Sequence, residues 1–345
     1  MMKNHTWKIL ATCLLALSVM CSCTKNLPDD MDSLGQDVSY NVKEFTPVIG
    51  RNTFYTNILS IGQNTSQPLS FKIVNIKDAD GQLVPTLFTD KFPVKVWAEM
   101  YDGTESSIAA IEGKRKTEYR PILEILEHSG NINFWGAGSS AFIRAQPDSG
   151  YTFDVELTNS GGRRYLRDFK LKPFRERPYE PSVVDPVTGL ALLPYSFANY
   201  AINMVGARTR TAIGSSAIRV YFNKDEEAPK DGTKTLTISF LDSLNKPIDP
   251  NRFNDTKWDE LVHGFNHRIE NNKVIYDVSY PIPLTNIETP YTIVGGQYAK
   301  LDFGYRRMND FGFIERASFG LNFAIYEEGH WEIQFRFSGE TPLFN

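Results

Sequence analysis

The chain has 345 residues, of which 41% are hydrophobic, 23% charged and 13% aromatic. That is length and apolar content enough for two domains with cores of their own, and too little charge for a disordered chain. The net charge of −4 leaves no basic footprint for nucleic acid, and 24 glycines with 19 prolines exclude collagen-like and low-complexity architectures.

At the N-terminus Lys3 and Lys8 accompany an apolar run over residues 9–20. A run of about twelve residues is short of the roughly 20 that span a bilayer and suits a signal-peptide core. The run ends in Met20-Cys21-Ser22-Cys23, which resembles a lipobox. Cys23 follows the small Ser22 and is the expected lipidation site, whereas Cys21 would require Met20 in the small-residue position; ordinary secretion is the alternative. All three cysteines, Cys13, Cys21 and Cys23, lie in this segment, so the folded part holds no disulfide framework, thiol nucleophile or cysteine zinc site. At about 0.8 kcal/mol per buried CH₂, several acyl chains would anchor the protein stably to a membrane. Cleavage after residue 22 removes Lys3 and Lys8 and no acid, moving the charge from −4 to −6. Residues 23–36 then read as a tether, broken by Pro28 and Gly35. Its Lys25 and the acids Asp29, Asp30 and Asp32 resemble the surface-export signal of Bacteroidota lipoproteins, a generic solvated linker being the alternative.

The body alternates apolar and polar residues. Tyr151, Phe153, Val155 and Leu157 interleave with Thr152, Asp154 and Glu156, the period-2 pattern of a half-buried strand. Asn159-Ser160-Gly161-Gly162 follows as a turn, with a return strand at 165–171. Similar strands are predicted at 38–45, 69–76 and 94–100, and then at 217–222, 235–240, 273–280, 298–305, 317–326 and 330–337. Glu327-Glu328-Gly329 reads as a tight hairpin turn between the last two. Helical spacing is confined to 104–112, 121–128 and 256–263. Such a run of strands predicts an all-β chain of two antiparallel β-sandwich domains, immunoglobulin-like or jelly-roll. Pro173, Pro178, Pro181 and Pro186 place the boundary, because proline removes backbone donors and disfavours helix and central strand alike. The expected order is signal peptide 1–22, tether 23–36, N-terminal sandwich 37–175, Pro-rich linker 176–187 and C-terminal sandwich 188–345.

Several chemical motifs have plainer readings. Gly136-Ala137-Gly138-Ser139-Ser140-Ala141 after a strand mimics a dinucleotide fingerprint, but Pro147 and Gly150 leave no room for the helix whose N-terminus must face the pyrophosphate. His263 and His267 are spaced for a shared metal on a helix, yet Gly264 weakens that helix and no glutamate lies between them, so loop or helix-end histidines are favoured. Asp78-Ala79-Asp80-Gly81 opens like a calcium loop and then lacks its later ligands, which favours a turn. Lys114-Arg115-Lys116 and Arg163-Arg164 read as solvated turns. Asp259-Glu260 and Glu327-Glu328 are neighbours in sequence and would point to opposite faces of a strand, so neither forms a glycosidase pair. No G-x-S-x-G elbow occurs. No enzyme, metal or cofactor is therefore expected, a carboxylate pair from separate strands being the remaining catalytic option.

Aromatic rings are the remaining binding candidates, since sugars stack their C–H faces on them. Trp258 lies in a polar stretch and Trp135 at a strand end, so these two are the candidate ligand contacts, with core or rim packing as the alternative for each. Trp97 and Trp331 sit among strand residues and are expected in cores.

Lipobox, acidic tether and two β-sandwiches together resemble the accessory surface lipoproteins of Bacteroidota glycan-uptake (Sus-type) loci. Ser129-Gly130-Asn131-Ile132-Asn133-Phe134, Ser149-Gly150-Tyr151-Thr152-Phe153-Asp154-Val155 and Thr158-Asn159-Ser160-Gly161-Gly162 look like the N-terminal domain of uncharacterised members. The resemblance implies an outer-membrane lipoprotein, anchored by lipid and facing the cell surface. It also implies work beside a SusC-type transporter and a SusD-type binding protein, with glycan as ligand; it carries over no site residue. A structural or adhesive role toward a protein partner is the alternative. Asp32-Ser33-Leu34 and Asp242-Ser243-Leu244 also look like O-glycosylation sites of that phylum.

Overall fold

A computed structural model of the chain describes residues 32–344, so Cys23, the signal segment and most of the tether lie outside the described residues. Twelve strands of six or more residues carry the fold: β1 (Ser70–Asp78), β2 (Lys91–Trp97), β3 (Arg115–Pro121), β4 (Tyr151–Asn159), β5 (Gly162–Leu171), β6 (Ile218–Lys224), β7 (Thr235–Leu241), β8 (Gly264–Glu270), β9 (Lys273–Val278), β10 (Tyr298–Met308), β11 (Ile314–Ile325) and β12 (His330–Phe337). Among the described residues two short helices, α1 (Pro85–Thr89) and α2 (Ile108–Gly113), interrupt them. The chain is all-β and built of sandwich-like layers, as the alternating pattern implies.

In the N-terminal half β4 is central, with β5 and β1 antiparallel on either side. Tyr151, Phe153, Val155 and Leu157 are all buried, and Asn159 pairs with Gly162 across the two-residue turn expected there. The outer edge of β5 takes a parallel neighbour. Lys170 N donates to Lys43 O (2.7 Å), Lys172 N to Phe45 O (2.8 Å) and Phe174 N to Pro47 O (2.8 Å). A small sheet of Thr53–Tyr55, Ile132–Phe134 and Leu123–Ile125 supplies further residues to the same core, around the stacked rings of Phe45, Phe153 and Phe169.

The C-terminal half faces two larger sheets. One has six strands in the order Ser196–Phe197, β6, β12, β7, β9, β8; the other runs Tyr179–Glu180, β11, β10, Thr292–Ile293, with Tyr200–Ile202 also on β11. Between them Phe240, Phe303, Phe319 and Phe335 pack with ring centroids 5.0 to 6.2 Å apart, the offset and edge-on spacing aromatic rings favour. Pairing is antiparallel except between β7 and β12, which run parallel with Ile238 opposite Ile333.

Several expectations need correction. Glu327-Glu328-Gly329 is a crossover and not a hairpin, because β11 and β12 belong to different sheets. The helix expected at 104–112 is shorter: Ser107 Oγ accepts from Ala110 N (3.1 Å) and starts it at Ile108. Residues 121–128 hold the strand Leu123–Ile125 instead of a helix, since Ile122 and Leu123 are both buried and serve sheet and core together. Residues 256–263 contain only the single 3₁₀ turn Trp258–Glu260.

The Pro-rich segment is not free of the sheets. Tyr179 pairs with Ile325 and Glu180 with Ala324, and the Tyr179 ring stacks on Phe222 (4.4 Å) within the C-terminal half. A small third cluster joins the halves: Tyr101 and Ile111 from one, Leu284 from the other, with Trp97, Phe265 and Ile287 packed around them.

Candidate functional site

The two candidate tryptophans lie in separate halves and are not brought together. Trp135 follows the strand Ile132–Phe134 and is 7% exposed; its indole N–H donates to Glu124 Oε2 (2.9 Å), and its ring meets Phe54 edge-on at 5.3 Å. Trp258 opens its 3₁₀ turn half-buried, against Phe303 (5.9 Å) and Phe240 (6.4 Å), while its carbonyl accepts from Tyr276 O–H (2.8 Å). Both indoles serve as packing surface at the rim of a core. Trp331 is buried as expected, and Trp97 lies between the halves with the Arg115 guanidinium over its ring (4.4 Å). Cys23 lies outside the described residues.

The remaining motifs resolve locally. Gly136 to Ala141 form turns without a helix. Asp78 Oδ1 accepts from Asp80 N (3.0 Å) and Gln82 N (2.9 Å), which makes a turn of Asp78 to Gly81. His267 lies 3.0 Å from Asp259 at the surface, whereas His263 turns toward the other half. Among the described residues no three His, Cys, Asp or Glu side chains are grouped to hold a metal ion, and no helix is long and apolar enough to cross a membrane.

His263 belongs to the contact between halves. Its Nε2 is 2.8 Å from the Glu105 carbonyl, which can only accept, so Nε2 carries the proton and donates. Nδ1 then accepts from Tyr101 O–H at 2.6 Å, a hydroxyl that burial pushes far above the ordinary phenol range and thereby keeps a donor. The other face of the imidazole stacks on Tyr291 at 4.7 Å. A cavity of about 20 Å³ beside these rings has room for about one water. Arg115 donates across the boundary to the Tyr280 carbonyl (2.8 Å), and Lys95 reaches Glu328 (3.1 Å). These groups lock two surfaces together.

A larger opening lies at the Pro-rich segment. A cleft of about 300 Å³ is lined by Ser140, Arg175, Arg177, Ser182, Asp185 and Gly189, among others, a volume at the small end of ligand pockets. One side is the Pro-rich segment itself. The other is the turn that follows it, closed by Asp185 N donating to Leu190 O (2.9 Å) and Leu192 N to Val183 O (2.8 Å). The carboxylates in the cleft, Glu176 and Asp185, and Glu180 beside it are engaged. Glu180 Oε1 faces both Arg51 (3.0 Å) and Arg177 (3.2 Å), and its Oε2 accepts from Ser182 N (2.9 Å). Burial pushes the Glu176 carboxyl up, but hydrogen bonds from Ser140 and Ser139 outweigh it and hold the group below the ordinary range. Asp185 is held low by the backbone and hydroxyl of Thr188 and by Val187 N.

The donors are less well matched. Arg175 is exposed, has no hydrogen-bond or ion-pair partner among the described residues, and lays its stem on Gly189, where an added Cβ would come within 2.9 Å of Arg175 Cδ. Nε of Arg177 and Nε of Arg51 are buried with no partner. Residues 176–187 read from sequence as a Pro-rich linker, with no sign of the cleft. The available signal was four charged residues, Arg175, Glu176, Arg177 and Glu180, interleaved with three prolines, Pro173, Pro178 and Pro181.

Searches of curated proteins and of solved structures found no match to the chain. A family model described as a domain of unknown function, DUF5007, matches residues 59–345, spanning most of the N-terminal core and all of the C-terminal one, and the chain belongs to that family.

Proposed function

We propose that this chain is a lipid-anchored, non-catalytic outer-membrane lipoprotein that displays glycan at the cell surface for a Sus-type uptake system, with the cleft at the Pro-rich segment as its ligand site. The observation that carries the reading is that cleft: an opening of about 300 Å³ whose carboxylates are engaged by neighbouring donors while guanidinium donors remain unmatched. Such a site holds a ligand and offers no poised acid, base or nucleophile. The lipobox at Cys23 and the acidic tether support the anchoring. Mechanistically the protein works by local concentration: tethered copies rebind released glycan before it diffuses away.

The test is a glycan array probed with the mature chain lacking its acyl groups, alongside Arg175→Ala, Trp135→Ala and Trp258→Ala. Binding that weakens with Arg175→Ala and survives both tryptophan substitutions supports the cleft; loss of binding only with a tryptophan substitution moves the site. Labelled palmitate that enters the wild type and not Cys23→Ser supports the anchor, and equal labelling rejects it.

A second reading, contact with a protein partner, is favoured by the hairpin tip between β10 and β11. There Phe311, Phe313 and Ile314 are 85%, 69% and 70% exposed, an apolar projection of the kind that marks association surfaces. Cross-linking in intact outer membranes from a probe at Phe311 would capture a transporter component under this reading and nothing specific under the first.

A further inference from the structure

We propose that the cleft takes an acidic saccharide, a sugar ring bearing a carboxylate or a sulfate, and that Arg175 holds the anionic group; this rests on the reading of the cleft as a glycan site. Formal charge does not favour an anion, because Arg51, Arg175 and Arg177 are balanced by Glu176, Glu180 and Asp185. The selectivity lies in which groups are already used.

All three carboxylates have local donors: Glu180 two guanidiniums and an amide, Glu176 the Ser140 amide (2.5 Å), Asp185 two amides and a hydroxyl. Arg175 has none, whereas Arg177 pairs with Glu180 (3.2 Å) and keeps its Nε buried. A guanidinium offers up to five N–H donors and no acceptor. The unmet demand is thus for an acceptor-only group, and the group that matches a guanidinium fork in shape and charge is an oxyanion. A neutral sugar hydroxyl would fill only part of that demand and would bring a donor to a wall already rich in donors.

The support of Arg175 is specific. Gly189 at φ +70° closes the turn and has no side chain, which lets the arginine stem lie across it, 2.9 Å from where a Cβ would sit. Ser140 comes from the N-terminal half and Ser182 from the Pro-rich segment, so two parts of the chain flank the opening where the remainder of a sugar ring would lie.

The test is calorimetric titration of the mature chain with three matched oligosaccharides, one neutral, one uronate and one sulfated, at low and high salt, together with inorganic sulfate. The uronate or the sulfated ligand is expected to bind more tightly than the neutral one, with affinity that falls as salt rises. Arg175→Ala is expected to weaken that binding by roughly tenfold to hundredfold, and Arg175→Lys to restore only part of it. Whichever acidic ligand binds identifies the oxyanion. Equal, Arg175-independent binding of neutral and acidic sugars overturns this proposal and leaves the glycan reading standing. Binding of inorganic sulfate alone overturns the saccharide as the ligand, and binding of none of the probes overturns both readings. Because Arg175 is exposed, its variants are expected to unfold with the wild type, so a loss of binding reports the contact.

Discussion

In the C-terminal half, strands of up to twelve residues close over a single core of 30 buried apolar residues. In the N-terminal half, 22 such residues among those described are covered by one four-stranded sheet, a three-stranded patch, two two-stranded ribbons, a short helix and irregular chain. The difference lies in where specificity is stored. Long paired strands fix each other through a repeating ladder, so the C-terminal core tolerates loops of any shape at its ends. Short strands cannot, and the N-terminal half relies on individual side-chain ties, such as Tyr40 O–H donating to Gly130 O (2.7 Å) and Trp135 to Glu124. The open cleft lies beside the less regular half, where loops are already committed to holding the fold.

The sharpest way to break the comparison is Phe240→Ala in the C-terminal core. It removes a ring touching Phe253, Phe303 and Phe335, at an expected cost of about 3–5 kcal/mol in chemical unfolding. Next comes Arg115→Ala between the halves, which strands the Tyr280 carbonyl and leaves Glu112 with Lys95; a loss of about 1.5–3 kcal/mol is expected, with new protease sensitivity in residues 172–190.

Acid should act beside that contact, at Glu105, whose backbone carbonyl accepts from His263 of the other half. Burial pushes the Glu105 carboxyl up, but its ion pair with Lys114 (2.5 Å) and backbone amides outweigh this and set it below the ordinary carboxylate range. A carboxylate whose folded pKa is depressed stabilises the fold fully above its unfolded pKa and loses that contribution as pH falls through the folded value. The stability advantage of wild type over Glu105→Gln should therefore shrink on acidification, and a constant gap between their unfolding midpoints at all pH values contradicts it.

Gly189→Ala is expected to cost about 1–2 kcal/mol, because φ is +70° there and the new Cβ meets Arg175; the same change should weaken ligand binding at the cleft. The smallest effect belongs to Phe311→Ser at the hairpin tip, expected within about 0.5 kcal/mol of wild type, with altered association as its only signature.

The long strands were legible because alternation over seven or more residues has few alternative causes. β3 escaped: Arg115 to Arg120 carries only one apolar residue, Tyr119, and its burial depends on β2, Trp97 and the other half of the molecule. β8 escaped for a related reason, since two histidines and a glycine mask a strand whose pairing with β9 is interrupted by a bulge at Asn266 and His267. The crossover at 327–329 has turn-like residues in either role, and only the allocation of β11 and β12 to different sheets distinguishes them. The cleft was hidden because the meaning of Arg175 depends on what Glu180 does, and Glu180 is occupied by Arg51, distant in sequence. Sequence reveals which residues carry charge, but not which charges are left over.

The parallel ladder between residues 43–47 and 170–174 also sets how the molecule bears load. A chain held at its N-terminus and pulled at the cleft transmits tension in opposite directions along these two neighbouring segments. Their hydrogen bonds, Lys170 to Lys43, Lys172 to Phe45 and Phe174 to Pro47, then lie across the line of force and must slip together. The attachment is a shear clamp, mechanically stiffer than a pair peeled open one bond at a time, and it stands between the N-terminal end of the described chain and the cleft.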